Sequence, residues 1–127
     1  MNAAIDLQTA LYTTLSAAGL TVFDAVPDNY ESFPYVTIGE DSLVQWDTKT
    51  INGFDASVTI HVWSRESGRK EAKLIQAQIY AALHNKPLTL ATDIMHTLQQ
   101  TDAIVLQDPD GKTRHGIQTF RSLIAGE

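Results

Sequence analysis

The sequence predicts an α+β fold, in which two helices pack on one face of a mostly antiparallel sheet of about four to six strands. Residues 54–62 carry apolar side chains at the even positions and polar ones at the odd positions, as in a strand whose even-numbered side faces the core. Apolar side chains repeat at helical spacing within residues 3–18 and within residues 64–87. The resulting order is a helix, a short strand, two longer strands, a helix and two or three further strands, which is typical of the α+β class.

The first helix is bounded by Asn2, a good N-cap residue, and by Gly19, a good residue to end a helix. Between them, one predicted buried stripe follows the i, i+3, i+4, i+7 pattern. Its members are Ala4, Leu7, Leu11, Thr14, Leu15 and Ala18.

Two strands and a polar loop are predicted next. Residues 21–25 form the short strand, and Pro34 opens a longer one, because proline is tolerated at the first position of a strand. This strand runs toward Trp46 with a bend at Gly39, since a glycine inside a strand often marks a bulge. The pair Asn52–Gly53 predicts a hairpin turn before the strand at 54–62.

The second helix is predicted to be capped by Ser64 or Ser67 and to end at Asn85 and Pro87. Its predicted buried stripe consists of Ala72, Ile75, Ile79, Ala82 and Leu83. Strands are expected over 94–98 and 103–124, and the turn-forming tetrapeptide 108–111 divides the second of these.

Composition limits the classes of function. The chain has 127 residues, so we expect a single domain spanning residues 1–127. Its net charge of −6 and pI near 5.0 argue against binding to a phosphate backbone. It has no cysteine, which fits synthesis in a reducing cytosol, and its first residues lack the basic start of a secretory signal. No apolar run approaches the ~20 residues that cross a bilayer.

A search for catalytic motifs finds neither of the two common phosphate-binding loops and no G-x-S-x-G nucleophile elbow. Three histidines, His61, His96 and His115, fall on predicted strands, where two could converge as metal ligands. The alternative is that they are half-exposed residues on the polar face of the sheet. We therefore predict no catalytic residue, no metal site and no cofactor.

A basic cluster and two tryptophans are the candidate contact residues. Arg65, Arg69, Lys70 and Lys73 form either a solvated helix face or a contact to an acidic partner, such as a neighbouring copy of this acidic protein. Trp46 and Trp63 either cover the edge of the core or anchor an interface, where tryptophan and arginine are enriched.

Four segments together resemble a known family. They are LQTALYTTL, VPDNYESFPYVTIGED, SVTIHVWSRESGRKEAKLIQAQIYAAL and HGIQTFRSLI. Their order and spacing resemble the tail-completion, or tail-terminator, proteins of long-tailed bacteriophages, prophages and gene transfer agents. The resemblance implies a virion protein, made in the bacterial host cytoplasm, rather than an enzyme.

The resemblance also implies a ring, typically of six copies, at the head-proximal end of the tail tube. Its partners would be other copies of itself, the tail tube protein and the head-tail connector protein. DNA would pass through the ring without sequence-specific binding, and no membrane partner is expected. The predicted interface residues are Trp46, Asp47, Thr48, Lys49, Asn52, Trp63, Arg65 and Arg69.

Three alternatives stay open at this point. The first is a head-tail connector or joining protein of the same particle. The second is a small metal-dependent enzyme that uses the strand histidines. The third is a soluble binding module with a pocket under the helices.

Overall fold

The computed structural model describes residues 3–47, 52–86, 88, 90, 94–95 and 97–125. They form two helices, α1 (Ala3–Ala17) and α2 (Lys70–Leu83), and six strands. The strands are β1 (Val22–Phe23), β2 (Tyr35–Asp47), β3 (Asn52–Ser64), β4 (Ile94–Met95), β5 (Gln99–Gln107) and β6 (Arg114–Ala125). The predicted α+β class is confirmed. No helix of this described part is long and apolar enough to cross a bilayer.

The six strands form one sheet in the order β1-β2-β3-β6-β4, and β5 pairs with the same edge of β6 as β4. Only the β1–β2 pairing is parallel among the described strands. The prediction of a mostly antiparallel sheet is therefore confirmed. β6 follows all the other elements in the chain, yet it lies inside the sheet between β3 and β5.

The core lies between one face of the sheet and both helices. On β3 the predicted inward residues Ala56, Val58, Ile60 and Val62 are at most 2% exposed. The helices bury two stripes against them, and the stripes consist of Ala3, Leu7, Ala10, Leu11 and Leu15 on α1 and of Ala72, Ile75, Gln76, Ile79 and Leu83 on α2. The predicted α1 stripe was wrong at Ala18, which is exposed, because α1 ends at Ala17.

The β2–β3 hairpin differs from the prediction at its tip. β2 begins directly after Pro34, and its register with β3 shifts between Ile38 and Asp41, which confirms the bend at Gly39. The predicted turn at Asn52–Gly53 was wrong, because these two residues pair with Asp47 and Trp46 and thereby extend the ladder. The connection, residues 48–51, lies outside the described residues.

The predicted serine caps of α2 were also wrong. The N-cap position is Arg69, which makes no side-chain capping hydrogen bond. Ser64 is instead the last residue of β3, and its hydroxyl donates to Glu71 at 2.6 Å. At α1, Gly19 has a φ of +89°, as expected of a residue that ends a helix, while Asn2 lies outside the described residues.

The C-terminal strands start and stop at slightly different places than predicted. The strand expected over 94–98 is only Ile94–Met95, and β5 begins at Gln99. The turn over 108–111 is confirmed, since the Gly111 amide donates to the Asp108 carbonyl at 3.0 Å and Gly111 has a φ of +72°.

Candidate functional site

The face of the sheet opposite the helices, here called the open face, carries most of the unusual residues. Cross-strand partners share a face of an antiparallel sheet, so the pairing defines rows that run from β5 to β2. One row is Leu106, His115, Trp63 and Tyr35, and the next is Ile104, Ile117, His61 and Thr37. The β3 members of these rows are the odd-numbered residues that were predicted to face away from the core.

Two of the three strand histidines meet in these rows. His61 Nδ1 lies 2.6 Å from His115 Nε2, the ring centroids are 4.9 Å apart and the ring planes differ by 28°. The two imidazoles therefore meet edge to edge, with one hydrogen bond between facing nitrogens. His96, the third histidine, lies outside the described residues.

A carboxylate stands at each outer end of the histidine pair. His61 Nε2 lies 3.2 Å from Glu40 Oε2, and His115 Nδ1 lies 3.8 Å from Asp108 Oδ1. Because a carboxylate only accepts, His61 donates from Nε2 and its Nδ1 accepts the proton of His115. The four side chains form a continuous polar chain from β2 to the β5–β6 turn.

This environment shifts two of the pKa values. Burial lowers the pKa of His115, and the neighbouring His61 lowers it further, while Asp108 and Glu40 act in the opposite direction. A backbone hydrogen bond and the hydrogen bond from His61 lower the pKa of Glu40. These shifts favour a neutral His115 and an ionised Glu40 at neutral pH.

The geometry of the histidine pair does not fit a metal site. Two imidazole nitrogens on one tetrahedral zinc ion lie about 3.3 Å apart, given Zn–N distances of about 2.0–2.1 Å. The observed 2.6 Å is the length of a hydrogen bond, and Glu40 sits at the opposite ring nitrogen of His61. In the part of the chain that the structure describes, no three histidine or carboxylate side chains converge as metal ligands.

Trp63, a predicted interface residue, makes its contacts within the chain. Its indole stacks on His115 with a centroid distance of 3.9 Å and planes 12° apart. Its Nε1 donates to Thr37 at 3.2 Å, and Tyr35 lies parallel to it at 6.3 Å. Tyr35 in turn contacts Phe33, so the residues flanking Pro34 hold the start of β2 in an aromatic cluster.

Of the four residues in the basic cluster, only Arg65 makes a side-chain hydrogen bond or ring contact with other described residues. The Arg65 guanidinium lies 4.4 Å above the ring of Phe33, and its Nε donates to Thr113 at 3.3 Å. The side chains of Arg69, Lys70 and Lys73 are exposed and make no hydrogen bond or ion pair with another described residue. These three residues, called the free cations below, lie at the start of α2.

The tip of the β2–β3 hairpin holds the remaining predicted interface residues. Trp46 is half-buried and packs so closely over Gly53 that a Cβ there would lie 3.0 Å from the indole. Asp47 is exposed and accepts hydrogen bonds from the Gln45 side chain and the Gly53 amide. Asn52 pairs with Asp47, whereas Thr48 and Lys49 lie outside the described residues.

Both outer strands leave a backbone edge without a described partner. β1 covers β2 only at Val36 and Thr37, so the edge is bare over 38–47. On the other side, β5 pairs with β6 alone. Large apolar side chains stand near both edges on the open face, with Val44 63% exposed and Ile104 45% exposed. Sequence reasoning missed these edges because they depend on the strand order.

A shallow groove of about 330 Å³ runs between α2 and β5. Lys73, Gln76, Tyr80 and Ala103 contribute to its walls. Its floor includes the buried amide of Gln118, which donates to the Gln76 carbonyl at 3.0 Å and to Gln100 Oε1 at 2.8 Å. The groove is the feature nearest to the predicted pocket under the helices.

Comparison with known proteins identifies relatives over nearly the whole chain. A family model described as tail completion protein gp17 matches residues 6–125. Tail completion protein gp17 of Bacillus phage SPP1 is 34% identical over 98 residues, which cover 77% of this chain and 72% of that protein.

Two solved structures share the fold. A chain of the native gene transfer agent virion superposes with a TM-score of 0.87 and 27% identity, covering 97% of both chains. The structure of bacteriophage SPP1 gp17 protein gives a TM-score of 0.61 and 28% identity, covering 96% of this chain and 91% of that one.

Proposed function

Because this chain belongs to the tail completion protein gp17 family, we propose that it assembles as a closed ring at the head-proximal end of a tail tube. In this role it is a structural component of a virion, made in the bacterial host. The ring ends polymerisation of the tube and gives the head connector a surface to dock on. We expect six copies and no catalytic step.

The observation that carries the proposal is the match to a chain of a gene transfer agent virion, which extends over 97% of both chains. A fold alone does not specify a function, because the same fold can serve unrelated functions. Here the likeness in fold accompanies 27% identity and a family model that spans residues 6–125. The coincidence of sequence and fold over the same length favours a shared role.

A ring of identical copies requires a head-to-tail contact that closes on itself. The two unpaired sheet edges lie on opposite sides of the subunit, as such a contact requires. The net charge of −6 suits a channel through which DNA passes, since like charge discourages sticking.

We assign the contact between copies to the hairpin tip and the free cations. On one copy, this contact is formed by Trp46, Asp47, Thr48, Lys49 and Asn52. On the neighbouring copy, it is formed by Arg69. Trp63 and Arg65 support the interface from within their own subunit, because each already contacts a neighbouring side chain.

Deletion of the gene from its parent phage, prophage or gene transfer agent tests the function, with tail length and head attachment read by electron microscopy. Overlong tubes without heads are expected, and complementation with the parent gene should restore normal particles. Tubes of normal length that fail to join heads would assign the chain to the connector side instead. Intact, infectious particles would overturn the virion role.

A further inference from the structure

We propose that neighbouring copies in the ring join edge to edge, with β5 of one copy pairing antiparallel to β2 of the next. This inference rests on the proposed ring. Unpaired strand edges are templates for pairing with another chain. Within the described part of the chain, the outer edges lack a strand partner over similar lengths, nine residues on β5 and the stretch 38–47 on β2.

The direction of the strands fits such a junction. β2 and β3, β3 and β6, and β6 and β5 are each antiparallel, so β2 and β5 of one copy run in opposite directions. A copy placed beside it in the same orientation therefore presents β2 antiparallel to β5. The helices of both copies then lie on the same side of one continuous sheet.

One register brings the exposed apolar residues of the two edges together. Ile104 is placed opposite Val44 of the next copy, which covers two open-face side chains that are 45% and 63% exposed. The neighbouring pairs then follow from the antiparallel order, with Val105 opposite Leu43 on the helix face and Leu106 opposite Ser42 on the open face. Because every pair in this register shares a face, the alternation of both strands is preserved.

Charge complementarity also favours a second copy as the partner. The bare edge of β2 and its hairpin tip carry three acidic residues, Glu40, Asp41 and Asp47. Beside β5 stands Lys73, which lines the same groove as Ala103. The Gln100 amide, at the start of β5, donates to His84 at the end of α2, and the two elements run in opposite directions. The cations Arg69 and Lys70, at the start of α2, therefore lie toward the end of β5 at Gln107.

In the proposed register, Asp41 of the next copy lies opposite Gln107, at this end of β5. Asp47 of the next copy falls near Thr101, at the end of β5 that lies beside the C-terminal end of α2. Asp41 therefore faces the end of β5 that lies beside the cations of α2, which favours a second copy of this acidic chain as the partner.

Cysteine cross-linking in assembled tails tests the junction, because the chain contains no cysteine of its own. The variant Val44→Cys/Ile104→Cys places the two thiols opposite each other across the junction. Within one copy, three strand spacings alone separate these positions by at least about 14 Å, which is beyond the ~7 Å Cα limit of a disulfide. Any disulfide formed on mild oxidation must therefore link two copies.

A matched control is Val44→Cys/Ala103→Cys, since Ala103 is exposed next to Ile104 but lies on the other face of the strand. We expect a ladder of covalent oligomers on a non-reducing gel for the first variant, a second ladder for Ser42→Cys/Leu106→Cys, and monomer for the control. Rings visible by microscopy without either ladder would overturn the edge pairing and leave the ring intact. Absence of rings from the parent protein itself would overturn the ring and the junction together.

Discussion

His61 and His115 share a hydrogen bond of 2.6 Å that joins the two central strands of the sheet on its open face. With Glu40 accepting from His61 Nε2, His115 Nε2 donates the bond between the rings. One added proton on His115 Nδ1 would face Asp108 and keep the inter-ring bond. A proton on His61 Nδ1 would set two donors against each other and break this bond.

The first prediction concerns the pH dependence of stability. The pKa of His115 is lowered from its ordinary value of 6.5 by burial and by His61. The unfolded chain therefore binds a proton at pH values where the folded chain does not, and the free energy of unfolding falls as pH drops through 6.5. The stabilisation that comes from keeping His115 neutral is fully present above pH 6.5.

The variant His115→Gln tests this effect. At pH 7.5 it should be less stable than the parent protein by about 1–3 kcal/mol, since it loses the stacking on Trp63 and the bond to His61. The difference should shrink at pH 5.5, because the variant no longer carries the titrating group. Urea denaturation at both pH values measures it, and an equal difference at the two would contradict the assignment.

The second prediction concerns the buried amide of Gln118, which is 1% exposed. Gln118→Glu would place a carboxylate against two acceptors, the Gln76 carbonyl and Gln100 Oε1. We expect a loss of about 3 kcal/mol or more at pH 7, because the charge is buried without a partner. The loss should diminish in acid, where the introduced group is neutral and can donate.

The matched variant Gln118→Met keeps the length of the side chain without the charge. It should cost only about 1–2 kcal/mol at any pH, through the two lost hydrogen bonds. Thermal melts of the two variants at pH 4.5 and 7 distinguish them. If both variants lost the same stability at both pH values, the introduced carboxylate would be in contact with water, which would contradict the prediction.

The third prediction concerns the β5–β6 turn. Asp110 accepts hydrogen bonds from the amides of Lys112 and Thr113 and from the Thr113 hydroxyl, which lower its pKa from 3.8 to about 2. Its contribution to stability is present above pH 3.8 and is lost as pH falls toward 2. Asp110→Ala should lower the melting temperature at pH 7 but not at pH 2.

Asp110→Asn is the control at this turn, since its amide oxygen can still accept from the two backbone amides. It should retain part of the stability at pH 7 that Asp110→Ala loses. A melting temperature of Asp110→Ala equal to that of the parent at pH 7 would show that the turn forms without this side chain.

The fourth prediction concerns the hairpin tip. Trp46→Ser should weaken ring assembly while the subunit stays folded, because Trp46 lies at the far end of β2 from the aromatic cluster and packs mainly over Gly53. Sedimentation measures assembly, and circular dichroism checks the fold. Trp46→Phe keeps an aromatic ring there and should assemble better than the serine variant. Parent-like assembly of Trp46→Ser would remove this residue from the interface.

Local patterns predicted the features that depend only on the spacing of residues within one element. The alternation over 54–62 identified the buried face of β3, because a strand covered on one side repeats with a period of two. The turn over 108–111 followed equally from its own residues. The stripe of α2 was predicted for the same reason, since helical spacing defines which residues can share a face.

Which two of the strand histidines meet could not be predicted from such patterns. His61 meets His115 only because β6 pairs with β3 in one particular register, and the two residues lie 54 positions apart. The predicted serine caps of α2 were wrong for a related reason, because Ser64 is the last residue of β3 and its hydroxyl donates to Glu71. Tertiary pairing decided both outcomes.

The position of β6 has a consequence during translation. A ribosome releases the chain from its N-terminus, so the β2–β3 hairpin, α2 and β5 emerge before the strand that lies between β3 and β5. Until β6 arrives, the inner edges of β3 and β5 are open to pairing with other nascent chains. Only a subunit that has inserted β6 holds β2 and β5 on opposite sides at a fixed distance. Incompletely synthesised copies would therefore lack the spacing that closure of the proposed ring requires, and assembly would be restricted to finished subunits.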